Sequence, residues 1–148
     1  MTDYAPADLC CRLVEDSRDA VIFADEEGII RLWNKGAEEI FGYPAKEALG
    51  RPLDLIIPEN LQARHNEGYR RVMAAGSSKY ARDLLAVPAL RRGGARISVE
   101  FTIIPVTGET GEMLGIGAII REVTARWQRD KELRARLAAL EAQTPQKK

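Results

Sequence analysis

Residues 19–34 read Asp19-Ala-Val-Ile-Phe-Ala-Asp-Glu-Glu-Gly-Ile-Ile-Arg-Leu-Trp-Asn34. Ala20–Ala24 is a short apolar run rich in strand formers, and Asp25-Glu-Glu-Gly28 is a turn in which glycine supplies a positive φ. Ile29–Trp33 alternates and should pair back on the first run as a hairpin. Asn34 then has the side chain of a helix N-cap, and the helix that it opens runs through Ile40 to the stop Phe41-Gly42-Tyr43-Pro44. A strand–turn–strand that feeds directly into a short helix is the signature from which the rest of the chain can be ordered.

Moving outward, Ala45–Leu49 reads as one further helical turn ended by Gly50. Pro58 starts a longer helix that Gly76 closes, with Leu61, His65, Tyr69 (or Gly68) and Val72 stacked at three- and four-residue steps. Three long strand segments follow, Lys79–Leu90, Arg96–Val106 and Met113–Val123, separated by Arg91-Arg-Gly-Gly94 and Thr107-Gly-Glu-Thr-Gly111, both with hairpin chemistry. Two strands, short helices and three long strands predict an α+β domain: one five-stranded antiparallel sheet with helices on one face. Residues 1–18 read as an N-terminal amphipathic helical cap on Leu9, Leu13, Cys10 and Val14, and residues 19–124 as the main domain. Residues 125–143, free of Gly and Pro with Leu133, Leu137 and Leu140 on one face, read as a C-terminal helix, and residues 144–148 as a frayed tail.

At 148 residues the chain is long enough for one domain with a sizeable core or a core with a pocket. Lys plus Arg and Asp plus Glu both number 22, so no basic excess points to nucleic acid or an anionic membrane. The uncharged apolar runs Leu84–Leu90 and Met113–Ile120 fall far short of the roughly 20 residues that cross a bilayer. The first residues show neither a basic nor an apolar signal region. Cys10 and Cys11, adjacent and without CxxC spacing, offer neither an easy disulfide nor a zinc site. A cytoplasmic location is the expectation.

Catalytic groups are hard to assemble. His65 is the single histidine, no phosphate-binding glycine loop occurs, and Gly115-x-Gly117 sits inside an apolar strand where it suits close backbone approach. The pairs Glu26-Glu27 and Glu38-Glu39 read as solvated surface, so the chain is expected not to be an enzyme. Trp33 and Phe41 read as core. For His65 two readings stand side by side. It is either a partly exposed or backbone-satisfied helix histidine, or a ligand turned inward with Tyr69, as a proximal histidine holds haem.

The ordered residues resemble a PAS domain. The resemblance is carried by residues 19–34, by Ala37-Glu-Glu-Ile-Phe-Gly-Tyr43, Glu47-Ala-Leu-Gly50, Leu55-Ile-Ile-Pro58 and the closing Arg121-Glu-Val-Thr124, where Glu122 replaces the usual Asp. It covers about residues 17–125. Ile57-Pro-Glu-Asn-Leu-Gln-Ala-Arg-His-Asn-Glu-Gly-Tyr-Arg-Arg71 is further similar to the helix supplying the proximal histidine in haem-PAS sensors, the FixL-type kinases and the direct oxygen sensor phosphodiesterases. That similarity implies haem b on His65, with Tyr69 beside it, Arg71 and Lys79 near the propionates, and Phe101, Ile103, Ile116 and Gly117 on the distal face. Leu85 stands where those sensors carry the arginine that binds oxygen, and strand alternation would set Asp83 and Val87 on its face. Asp83 stands where the phosphodiesterase type carries a methionine ligand. An apolar distal wall implies weaker oxygen discrimination, with carbon monoxide or nitric oxide as further ligands, unless a polar residue such as Tyr80 reaches in. No flavin is expected, because Asn60-Leu-Gln-Ala-Arg-His65 lacks the photoactive cysteine. Met73 and Met113 are alternative axial ligands only in principle.

The expected function is therefore a sensory module that binds haem, senses a diatomic gas (oxygen, carbon monoxide or nitric oxide) or redox state, and relays it through the C-terminal helix. The partner would be a second copy in a homodimer, or a kinase or other output domain in cis or in trans. The alternative is a dimerisation or interaction module whose pocket is empty or holds a small molecule.

Overall fold

The computed structural model describes residues 4–77 and 82–144. Helix α1 (Pro6–Asp16) leads to β1 (Ala20–Asp25) and β2 (Ile30–Trp33), then α2 (Lys35–Phe41), α3 (Ala45–Ala48) and a 3-10 turn at Leu53–Ile56. Helix α4 (Glu59–Ala75) precedes β3 (Leu85–Leu90), β4 (Arg96–Thr107), β5 (Met113–Glu122) and α5 (Thr124–Gln143). The five strands form one antiparallel sheet in the order β2-β1-β5-β4-β3. The expected α+β architecture is the observed one.

The hairpin closes as its residues dictate. The Asp25 carboxylate accepts from the Glu27 and Ile29 amides at 2.9 and 3.0 Å, and Gly28 adopts φ 80°. Asn34 caps α2 by accepting from the Ala37 amide at 2.9 Å, and Gly42 ends that helix in the left-handed region. The two edges of the sheet meet in the middle because β5 pairs β1 from Ala20↔Ile120 to Asp25↔Gly115 and β4 from Val99↔Glu122 to Thr107↔Met113.

Alternation divides the sheet into two faces. Ala20, Ile22, Ala89, Ile97, Val99 and Ile120 are buried on the inner face, where they join Ile30, Trp33, Ile40, Phe41 and Ile56 in the core. Trp33 and Phe41 are core residues, their rings 5.4 Å apart, and the Trp33 indole donates to the Tyr43 carbonyl at 2.9 Å. On the outer face Leu32, Ile104 and Ile119 remain exposed.

One strand is shorter than the sequence predicts. Lys79–Leu90 was the expected run, but β3 begins at Leu85, opposite Phe101. Arg82 and Asp83 are exposed and polar and gain no burial by continuing the ladder, so Asp83 does not share a strand face with Leu85. Lys79 and Tyr80 lie outside the described residues. At the other end, the Val123 amide donates to the Ser98 carbonyl at 2.8 Å and the Ser98 amide to the Thr124 hydroxyl at 3.0 Å, which ties the base of α5 to β4.

Candidate functional site

Between α4, the 3-10 turn and the inner face of the sheet lies a cavity of about 300 Å3. Its sheet wall is apolar: Leu85, Val87 and Ala89 from β3, Val99, Phe101 and Ile103 from β4, and Ile116, Ala118 and Ile120 from β5. The opposite wall is α4, which contributes Arg64, His65, Gly68, Tyr69 and Val72, with Leu53, Ile56 and Ile57 closing one end. The spacing along α4 is the four-residue step that keeps side chains on one helical face. Gly68 widens that side, since a Cβ there would meet nothing within 4 Å.

Helix α4 is lightly attached. None of its residues is fully buried, and its first residue follows Pro58 without a side-chain cap. Polar contacts hold it instead. The Gln62 amide donates to the Ile57 carbonyl at 3.1 Å, and Asn66 donates to the Asp54 carboxylate at 3.1 Å. The Tyr69 hydroxyl reaches the Ala24 and Asp25 carbonyls at the end of β1, at 2.9 and 2.6 Å. Burial pushes the Tyr69 hydroxyl up to about 12, so it stays a donor at every physiological pH.

His65 is the exception to good polar bookkeeping at this wall. Its Nδ1 is buried and has no hydrogen-bond partner, and its ring lies 6.1 Å from that of Tyr69. Burial holds the imidazole below its ordinary value, outweighing upward pulls from the Asn66 side chain and the Asp54 carboxylate. The neutral ring is thus the form present at neutral pH, with a nitrogen free to accept a proton donor or to ligate a metal. Among the described residues no group of three or more His, Cys, Asp or Glu side chains could hold a metal ion.

Residues 14–128 match the family model for the PAS fold. The chain belongs to that family. Among its relatives this PAS domain is 40% identical over 92 residues to an uncharacterized protein of Azorhizobium caulinodans, covering 62% of this chain and 12% of that one. It is 28% identical to the sensor protein FixL of Bradyrhizobium diazoefficiens (78% of this chain, 22% of that one) and 21% identical to the oxygen sensor protein DosP of Escherichia coli (86% and 16%). The chain thus spans between 12% and 22% of the length of these relatives. A PAS domain of Colwellia psychrerythraea superposes with a TM-score of 0.72 at 21% identity, covering 82% of this chain and 99% of that one.

The PAS domain gathers His65, Tyr69, Leu85, Phe101, Ile103 and Ile116 around the one cavity. Two other residues of the expected set lie elsewhere. Arg71 is on a different side of α4, where its guanidinium is 75% exposed and pairs with Glu67 at 2.5 Å, one turn back. Gly117 is not at the cavity, because alternation with Ile116 turns it to the outer face, packed near Ile104 and the Ile22 carbonyl. Lys79 lies outside the described residues. Met73 and Met113 are half-buried and do not line the cavity. Sequence reasoning did not single out Arg64, Gly68 as a lining residue in its own right, or the Leu53–Ile57 segment. The α4 spacing was the available signal for the first two, whereas the last is placed by a 3-10 turn that leaves no periodic trace.

Proposed function

We propose that this PAS domain is a sensory module that binds haem b through His65 and responds to a diatomic gas or to redox state. The observation that carries the reading is the buried, unpartnered Nδ1 of His65 at the wall of an apolar cavity. Two relatives bearing sensor names, one of them an oxygen sensor, support it at low identity. The donor chemistry fits the group, and the cavity of about 300 Å3 would have to open to take it. One neutral imidazole stands ready as a ligand, and apolar side chains from three strands exclude water from the space it faces. When bound, haem supplies an iron that takes a gas or changes oxidation state. The chain's own part is to hold His65 neutral, keep Tyr69 donating to β1 so that α4 stays in place, and line the far side with Leu85, Phe101, Ile103 and Ile116. Those four side chains carry no hydrogen-bond donor, so they favour oxygen less over carbon monoxide or nitric oxide than a polar side chain there would.

The module acts by binding, not by turnover of its own, and works in the cytoplasm; among the described residues no helix is long and apolar enough to cross a membrane. Its output passes along β4 and β5 to α5, whose base is fixed to Ser98. Exposed leucines on α1 (Leu13) and α5 (Leu133, Leu137 and Leu140) support a homodimer, with a kinase or another output domain as the receiver in cis or in trans. A photoactive flavin, which needs a cysteine in the pocket, is disfavoured because both cysteines are exposed on α1.

The test is the visible spectrum of protein produced with haem supply, beside His65→Ala prepared identically. A sharp Soret band in the wild type that disappears or shifts in the variant is the expected result. A colourless wild type that also refuses haemin sinks the reading. The volume of the cavity favours a second reading in that event. At about 300 Å3 it sits at the low end of the roughly 300–1,000 Å3 of small-molecule sites, so a compact apolar molecule would fill it in an interaction module. Mass spectrometry of material extracted from the native protein would identify such a molecule.

A further inference from the structure

Among the described residues the cavity lining contains one arginine and no carboxylate. Arg64 borders the apolar space next to His65, yet it is itself exposed, so its guanidinium sits at the mouth. Six ion pairs join described residues, and Arg64, like ten other arginines, is in none of them; what sets it apart is its place in the lining. A lone cation at the edge of an apolar chamber sets the chemistry of what fits. A charge carried inside would lose its hydration without compensation, whereas a charge left at the edge meets the guanidinium fork. Among the described residues Arg64 is the one cation in the lining, placed to meet a carboxylate at the edge.

We propose that Arg64 anchors a carboxylate at the mouth of this cavity, and that the ligand is an apolar body with a carboxylate edge. The body lies against Leu85, Phe101 and Ile116. Two sources share that chemistry: the propionate edge of a porphyrin and a free medium-chain aliphatic acid. For the first source the inference rests on the haem reading and moves the propionate contact from Arg71 to Arg64. For the second it stands without haem.

The experiment titrates four probes into the wild type, Arg64→Gln and Arg71→Gln: haemin, haemin dimethyl ester, decanoate and decanol. The Soret band follows the first two and calorimetry the others. Arg64 is exposed and pairs with no described carboxylate, so Arg64→Gln should keep the wild-type unfolding midpoint. The expected result is a loss of about tenfold in affinity for the acid probe in Arg64→Gln. The esterified or alcohol counterpart should bind both proteins alike, and Arg71→Gln should behave as wild type. Decanoate bound while haemin is refused would support this proposal and remove only the haem reading. Acid bound equally by the wild type and Arg64→Gln overturns this proposal, and haemin bound in that way leaves the haem reading standing. Refusal of all four probes by the wild type overturns both.

Discussion

Both polar atoms of the buried Asn34 side chain have partners, and Nδ1 of His65 has none. The Asn34 side chain, fully buried, accepts from the Val21 and Ala37 amides at 2.8 and 2.9 Å and donates to the Val14 and Asp19 carbonyls at 2.7 and 3.1 Å. Beside it Gly36 passes so near Asp19 that a Cβ would collide with the carbonyl, and Phe41 and Ile30 are wholly buried. Across the domain, α4 buries no residue completely and its histidine faces a cavity. The side chains nearest α1 and the first hairpin are satisfied and close-packed, which fixes a shape. The side chains on α4 are held by a few polar contacts, which leaves a place to be filled.

The sharpest way to break that contrast is Asn34→Ala. It strips two amides and the carbonyls of their partners in a buried position, and should cost about 4 kcal/mol of unfolding free energy, read by urea denaturation. A loss below about 1 kcal/mol would show that water or a backbone shift replaces the network, and the contrast would fail. Next in size is Tyr69→Phe, which removes the contact from α4 to Ala24 and Asp25. A cost of about 1 kcal/mol is expected, with hydrogen exchange faster along α4 than along α2. Equal acceleration in both helices would mean that the two regions open together.

The smallest effect concerns His65 itself and has a sign. Its folded-state value lies below its ordinary 6.5, so between those two values the unfolded chain binds more protons than the folded one. Stability should be unaffected by this group above pH 6.5, fall as the pH drops from there towards the folded-state value, and then level off. His65→Leu should flatten that segment of the pH profile without lowering stability at neutral pH, because it removes an unpartnered polar atom. An identical slope in the variant would assign the pH dependence to other groups.

Much of the close-packed region was legible in the sequence, because its devices are local. Asp25 and Gly28 announce the turn, Asn34 the cap and Gly42 the stop, each within a few residues of the structure it makes. The cavity was legible only in part. The α4 spacing aligned His65, Tyr69 and Val72, but spacing alone does not say which face meets the sheet, so the depth of His65 needed the tertiary structure. Arg71, which the resemblance put near the propionates, is six residues on from His65, and at about 3.6 per turn its side chain is well off the His65 face. Gly117 carries a similar lesson, with Ile116 next to it already pointing inward. The late start of β3 had no local signal, because Leu84 and Leu85 look alike in sequence and differ only in whether β4 offers a partner.

The joint between β5 and α5 has a mechanical consequence. A 20-residue helix rising about 1.5 Å per residue is a rod of about 30 Å, clamped at one end by Val123, Ser98 and Thr124. Its side chains are exposed through most of its length, so little resists rotation about that clamp. A tilt of about 10° at the base carries the far end through about 5 Å. That is comparable to one full helical turn, and so to the spacing between successive teeth on any helix lying alongside. A sub-ångström adjustment in the strands at Ser98, if it tilted the helix by that much, would give a displacement large enough to change which residues meet at the other end.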